Sequence, residues 1–420
     1  MAERKTVFAV LACATAVAVV STWAWTQHID VPGAPHVPRY ALQDFRDVVY
    51  YPPVALCRGD NPYDRPRYRA AYPIGDGLSL YSPLTILLHA PIALLPCRAA
   101  EFVYFVTSVA LTLALGALAL VLCGVPLTIA RVAGLGAALI FSRPGHWNLF
   151  NGQVTLEVVI PMLVALWCAR DRPLLAGVAL AITTLKPTYG LPLAALLAAR
   201  GEWRTVLVGG VVAGALTTLV LVRLVAAAGG VAPFAATIQA TYESSRLEPR
   251  KLPQHSPFRI DVVALAGRVL GRSPSNAETF ALTLGTLAVA APALRRLRAR
   301  RGARERDARL HAASVACLAV VACAYHQQYD LLVLTLPLVV LFWRVDAWPW
   351  RDHPALRRVA FALVVLLLVN YLGSGTAAAA LGLPEKALLV ASSLDNLALL
   401  ALLAIFVATA WRDPRATVAT

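Results

Sequence analysis

Apolar runs of about 15 to 25 residues, the length an α-helix needs to cross a bilayer, recur from one end of this chain to the other. They cover roughly residues 7–25, 99–122, 125–142, 154–169, 173–185, 188–199, 205–228, 278–294, 310–325, 329–343, 359–374 and 388–410. So much apolar length cannot be hidden in one water-soluble core. Backbone groups in hydrocarbon must be satisfied internally, so the runs read as helices. The expectation is an all-α, polytopic integral membrane protein with about twelve transmembrane helices. Only 15% of the 420 residues are charged, against roughly a quarter in soluble domains. A soluble enzyme, a secreted disulfide scaffold and a disordered chain are thereby excluded.

The net charge of +15 does not imply a nucleic-acid partner, which would need the basic residues gathered on one face. Here they are scattered between apolar runs, as positive-inside anchors are. With both termini inside, Arg170, Arg172, Arg200, Arg204 and the arginines within 295–309 and 344–358 fall on the cytoplasmic side. The short outer connections hold only Arg143, Lys186 and Lys386. The first run follows Arg4 and Lys5 and ends in Trp23 and Trp25, so it reads as a retained anchor, not a cleaved signal. Residues 1–420 then form a single membrane domain: a first transmembrane helix 7–26, an extracytoplasmic loop 27–98, a transmembrane core 99–228, a second extracytoplasmic loop 229–277 and C-terminal transmembrane helices 278–410. Within the first loop, 83–96 is a proline-bounded stretch too short to span and reads as an interfacial helix. If 173–199 crossed once as a kinked helix, 83–96 would have to cross as well. Five of the seven cysteines lie in or next to apolar runs as small apolar residues; Cys57 and Cys97 are able to pair if their loop is extracytoplasmic.

That topology collects four polar constellations on the outside. The first loop carries Asp44-Phe-Arg46-Asp47-Val-Val-Tyr50-Tyr51, Gly59-Asp-Asn-Pro-Tyr63 and Leu80-Tyr-Ser-Pro83. The others are His146-Trp-Asn-Leu-Phe-Asn151-Gly152-Gln153, Lys186-Pro-Thr-Tyr189 and His326-Gln327-Gln-Tyr-Asp330. Each has an ordinary reading. Asp44 and Asp47 share a helix face at i, i+3 and suit a cap or an ion pair with Arg46. Gly59 to Tyr63 and Asn151-Gly152 are turn sequences, and His326 suits a hydrogen-bonded loop. Lys186 either snorkels to the outer interface or has a function, because a cation in an apolar run is costly.

Taken in order and spacing, these motifs, with the proline-bounded Leu-Leu-Pro96 and the Leu-Lys-Pro before Arg-Gly-Glu-Trp-Arg204, resemble glycosyltransferase family 87, a family of C-type integral-membrane glycosyltransferases. The resemblance runs from the first crossing to about residue 205. It implies a polyprenyl-phosphate-linked sugar donor, most often mannose as in the enzymes that extend phosphatidylinositol mannosides, and a lipid or glycan acceptor. It implies an acidic residue of the first outer loop as base toward the acceptor hydroxyl: Asp44, with Asp47 competing for the role. Arg46, Lys186 and His326 would meet the donor phosphate, and Tyr50, Tyr63, Asn151, Gln153 and Gln327 would bind substrate. The site would lie on the extracytoplasmic side of the cell membrane. His28, His36, His146, His255 and His326 are dispersed without metal-ligand spacing, so no cofactor is expected, although a loosely held divalent cation between an aspartate and phosphate stays an alternative. The rival readings are a transporter or lipid-linked-sugar flippase and a non-catalytic subunit of cell-envelope assembly. A transporter would show broken helices in both halves, and the break at Lys186 has no counterpart in the second half.

Overall fold

The computed structural model describes residues 2–26, 41–78, 81–248, 251–300 and 302–412. His28, His36 and the rest of 27–40 lie outside the described residues, as do Leu80 and Arg301. Among the described residues there is no β-strand, and every expected apolar run coincides with a helix: α1 (Ala2–Thr26), α2 (Cys97–Leu122), α3 (Ile129–Phe141), α4 (Thr155–Cys168), α5 (Pro173–Thr183), α6 (Pro187–Ala199), α7 (Trp203–Ala227), α8 (Asn276–Ala299), α9 (Glu305–Cys323), α10 (Thr335–Trp343), α11 (Pro354–Val369) and α12 (Glu385–Trp411). The protein is an all-α polytopic membrane protein. Length and composition refine the count. Among the described helices six, α1, α2, α7, α8, α11 and α12, are long and apolar enough to cross alone. Five more, α3, α4, α5, α6 and α10 with the 3-10 turn before it, are apolar but hold 10–17 residues.

Helix α9 runs through the middle. From Leu310 to Cys323 every side chain is buried, and most are Ala, Ser, Cys or Val, small enough to let neighbouring backbones approach. Arginines gather where helices end at one pole: Arg170 pairs with Glu305, Arg309 with Asp171, Arg298 with Glu202 and Arg344 with Asp307. The polar segments collect at the opposite pole.

Two short elements depart from the expected layout. Residues 83–96 do not form one interfacial helix. They give a single turn and a half, Leu84–His89, and a 3-10 turn, Ile92–Leu94, because Pro91 lacks the N–H that would continue the ladder. Six helical residues rise only about 9 Å, so this stretch does not cross. Helices α5 and α6 are separate legs of a hairpin, not one kinked span: α5 starts beside Arg170 and α6 ends at Arg200, both lining one pocket, while the tip Thr184-Leu185-Lys186 points toward the other pole. Legs of 11 and 13 residues rise about 17 and 20 Å, against a hydrocarbon core of about 30 Å. The tip therefore stops well inside the thickness of the bundle.

Candidate active site

The aspartates stand on an unusual turn. Leu42, in the left-handed region at φ 59°, turns the chain into a π-helix, Phe45–Tyr50, which runs directly into a helix Tyr51–Cys57 with prolines at 52 and 53. Proline rings clash with the carbonyls four residues back, here those of Val48 and Val49, so an ordinary α-ladder cannot continue and the wider turn accommodates them. Such π-turns recur at functional sites.

The Asn151-Gly152-Gln153 motif has a steric basis. Helix Arg143–Asn151 ends on Gly152 in the left-handed conformation at φ 69°, and a Cβ there would lie 2.6 Å from Cβ of Phe45. Only glycine fits. The close approach, fixed also by Leu42 N–H donating to the Phe150 carbonyl at 2.7 Å, sets Gln153 beside Asp44. The Gln153 amide donates to Asp44 and accepts from the Tyr81 hydroxyl at 3.2 Å. Asp44 is half-buried. Burial first, and then the charge of Asp76, push it up to about 7, while Gln153, Lys186 and Lys251 pull the other way.

Asp47 is buried and accepts from the N–H groups of Gly75 and Asp76 at 2.7 and 2.8 Å. Burial and the neighbouring Asp44 raise it to about 8. Its carboxylate anchors the 74–77 turn and so places Asp76. Asp76 in turn joins Arg65, Glu248 and Lys251 in a four-charge clasp between the first and second loops.

The hairpin tip supplies the second half of the site. Lys186 Nζ donates to both carboxylate oxygens of Asp330 at 2.7 and 3.0 Å, fully buried, and lies 4.7 Å from the Tyr329 ring centre. His326 sets Nδ1 3.0 Å from Asp330 and Nε2 3.2 Å from the Thr188 carbonyl. The ring therefore bridges Asp330 and the backbone of Thr188 at the start of α6. The Thr155 hydroxyl and the Gln327 N–H complete the shell of Asp330. Ser82 N–H docks on the Leu185 carbonyl, carrying the Tyr81-Ser-Pro83 motif to the tip. The hydroxyls of Ser82 and Thr188 have no partner among the described residues.

The remaining candidates divide. Gln327 donates to the Tyr325 hydroxyl, within the same cluster, and Asn151 is partly exposed at the end of its helix with no side-chain hydrogen bond among the described residues. Tyr50 and Tyr63 are buried and donate to the carbonyls of Leu95 and Tyr81, both at 2.8 Å. Arg46 points away from the hairpin tip, to a buried ion pair with Glu101 at 2.7 Å, because it is two residues beyond Asp44 and leaves the turn on the α2 side. Cys57 and Cys97 are unpaired thiols. Among the described residues no group of three or more His, Cys, Asp or Glu side chains is arranged to hold a metal ion.

Three members of the site carried no weight in the sequence reading. Asp330 stood in a quoted motif without a role, and Asp76 and Lys251 stood in none. The available signal for Asp330 was the cost of burying Lys186, which demands a counter-charge.

No curated protein and no solved structure shows significant similarity to the chain. The profile of glycosyltransferase family 87 matches residues 80–325, more than half of the chain. The match takes in Tyr81, Gln153 and Lys186 and stops one residue before His326. The all-α membrane architecture and this match agree: the chain belongs to glycosyltransferase family 87.

Proposed function

We propose that this glycosyltransferase moves a sugar, mannose in the first instance, from a polyprenyl-phosphate donor to a lipid or glycan acceptor with inversion, at the extracytoplasmic face. The observation that supports it best is the pairing of a proton-accepting carboxylate, Asp44 at about 7, with a buried Lys186–Asp330–His326 cluster. In this reading the acceptor hydroxyl gives its proton to Asp44 as its oxygen attacks the anomeric carbon. The bond from that carbon to the phosphate oxygen breaks, and the phosphate leaves with the electron pair. A carboxylate near 7 is matched to that task at neutral pH, where one near 3.9 would be a feeble base.

The leaving phosphate needs fixed positive charge. In this reading the phosphate meets Lys186 and His326, which flank Asp330. Lys186 keeps a third N–H beyond the two that Asp330 takes, and the idle hydroxyls of Ser82 and Thr188 would complete the phosphate's hydrogen bonds. A lipid-linked donor also accounts for a hairpin tip that stops short of a full hydrocarbon thickness. The arginine-rich pole opposite the site supports the extracytoplasmic assignment through the positive-inside rule.

The deciding experiment offers the purified protein radiolabelled polyprenyl-phosphate mannose, glucose and arabinofuranose with lipid acceptors. Transfer from the mannose donor, lost in Asp44→Asn, is the expected result. Transfer from another donor alone would change the sugar, and no transfer from any would favour a non-catalytic subunit.

A further inference from the structure

The second loop has no part in the transfer chemistry set out above, yet a line of contacts runs through it from one half of the candidate site to the other. It begins at Asp47, whose carboxylate holds the N–H groups of Gly75 and Asp76. The Asp76 carboxylate accepts from Lys251 Nζ, which also pairs with Glu248 at 3.1 Å. The backbone carbonyl of Lys251 accepts from Arg259 Nη1 at 3.2 Å. Arg259 in turn grips Asp261 through two hydrogen bonds of 2.9 and 2.7 Å, with both side chains buried. Here the line reaches the cation half: Ile260 N–H donates to the His326 carbonyl at 3.1 Å and Gln328 N–H to the Phe258 carbonyl at 3.2 Å, which pairs Arg259 with Gln327 in an antiparallel bridge.

The two ends of this line are not equally secure. Residues 256–261 are held a second time by Arg268, whose Nη2 donates to the carbonyls of Ser256 and Arg259 at 2.7 and 2.8 Å, and by Asn396 of α12, which donates to the Asp261 carbonyl at 2.7 Å. The 74–77 turn has no such second anchor. Of the hydrogen-bond and ion-pair partners of Asp76 among the described residues, Lys251 alone comes from outside the first loop; Asp47 and Arg65 belong to it. The Lys251 side chain is 13% exposed, so solvent ions screen this pair little.

We propose that Lys251 is a positioning residue for the transfer reaction, holding the turn that carries Asp44 and Asp47 at a set spacing from the Lys186–Asp330–His326 cluster; this rests on the transfer reading. A base and a leaving-group site on separate segments have to be aligned together, and a misplacement of about 1 Å costs up to about a hundredfold in rate. Lys251 also acts on Asp44 through its charge. The charged groups around Asp44 are Asp47, Asp76, Lys186 and Lys251, with the hydroxyls of Tyr81, Tyr104 and Tyr329. Loss of the Lys251 charge removes a cation and uncovers Asp76, and both changes favour the protonated form of Asp44; loss of the Asp76 charge does the reverse.

Hydrogen exchange and steady-state kinetics on the full-length protein in detergent test this. In K251M the amides of 74–77 should exchange faster while those of 258–261 and 326–328 keep their protection. Its kcat should fall about ten- to hundredfold with KM for polyprenyl-phosphate mannose within about twofold of the parent, and the acid limb of kcat/KM should move to higher pH. D76N should loosen the same turn but move the limb to lower pH, an opposition that a purely structural role would not produce. K251R should recover most of the parent's exchange and turnover. R272Q, which breaks an exposed ion pair with Glu278, should change neither. If K251M does not fold, D76N and K251R carry the test. Unchanged exchange at 74–77 in a folded K251M or D76N, limb shifts of the same sign, or a loss confined to KM would each overturn the proposal. No transfer by the parent would count against the transfer reading alone, and the exchange comparison would still decide whether Lys251 holds the turn.

Discussion

In the proposed role of base, Asp44 would meet two opposed demands, since a base must be charged to act and its surroundings disfavour the charge. Its value near 7 makes turnover pH-dependent: the rate should climb about tenfold per pH unit below 7 and level off above, a profile read from kcat/KM with the mannose donor. Stability should respond in the opposite sense. An unfolded aspartate releases its proton near 3.9, so between about pH 4 and 7 the folded state holds a proton that the unfolded chain has given up. The contribution of Asp44 to stability therefore falls as pH rises through that window. Asp44→Asn should lower turnover by roughly two to four orders of magnitude while melting no lower than the parent at pH 8. Asp47→Asn should behave otherwise. Its amide would present a donor to one of two backbone N–H groups, so a loss of about 1–3 kcal/mol should accompany a smaller loss of turnover. A silent Asp47→Asn beside an active Asp44→Asn would exchange the two roles.

The α5–α6 hairpin buries a cation against the carboxylate of Asp330. Lys186→Met removes the ammonium but strands Asp330, so it should destabilise the protein by about 3–5 kcal/mol rather than relieve it, as the sequence alone would suggest. Lys186→Met with Asp330→Leu should recover most of the melting temperature and none of the transfer activity, and the double-mutant cycle isolates the coupling. This hairpin also shows what sequence can and cannot disclose. The helices were legible because apolar length is local. The cost of Lys186 was legible for the same reason, and so was Asn151-Gly152-Gln153 as a turn. That Gln153 meets Asp44 across 109 positions, or that Lys186 finds Asp330 across 144, is written in no periodicity. Arg46 faces Glu101 because a π-turn redirects its side chain, and the prolines that force that turn lie six and seven residues further on.

At the scale of the whole molecule, the arginine ion pairs gathered where helices end at one pole predict an orientation that a single native residue can report. Cys57 is exposed near the candidate site, whereas the other six thiols are buried or half-buried. In intact cells a membrane-impermeant maleimide should label Cys57, and should fail to label a cysteine introduced at exposed Arg304 in a Cys57→Ser background. The reverse pattern would put the site in the cytoplasm. The short hairpin carries a consequence for the choice of substrate. Measured from the arginine-rich pole, legs of about 17 and 20 Å end about a third of the hydrocarbon depth short of the other face, and in the proposed transfer the acceptor hydroxyl would have to descend that far. In the proposed reaction an acceptor sugar on a slender, flexible tether should make that descent more readily than a rigid, branched glycan. Acceptors would thus be sorted by reach before any contact with their own hydroxyls, and one enzyme could serve several lipids that share nothing but a thin, mobile end.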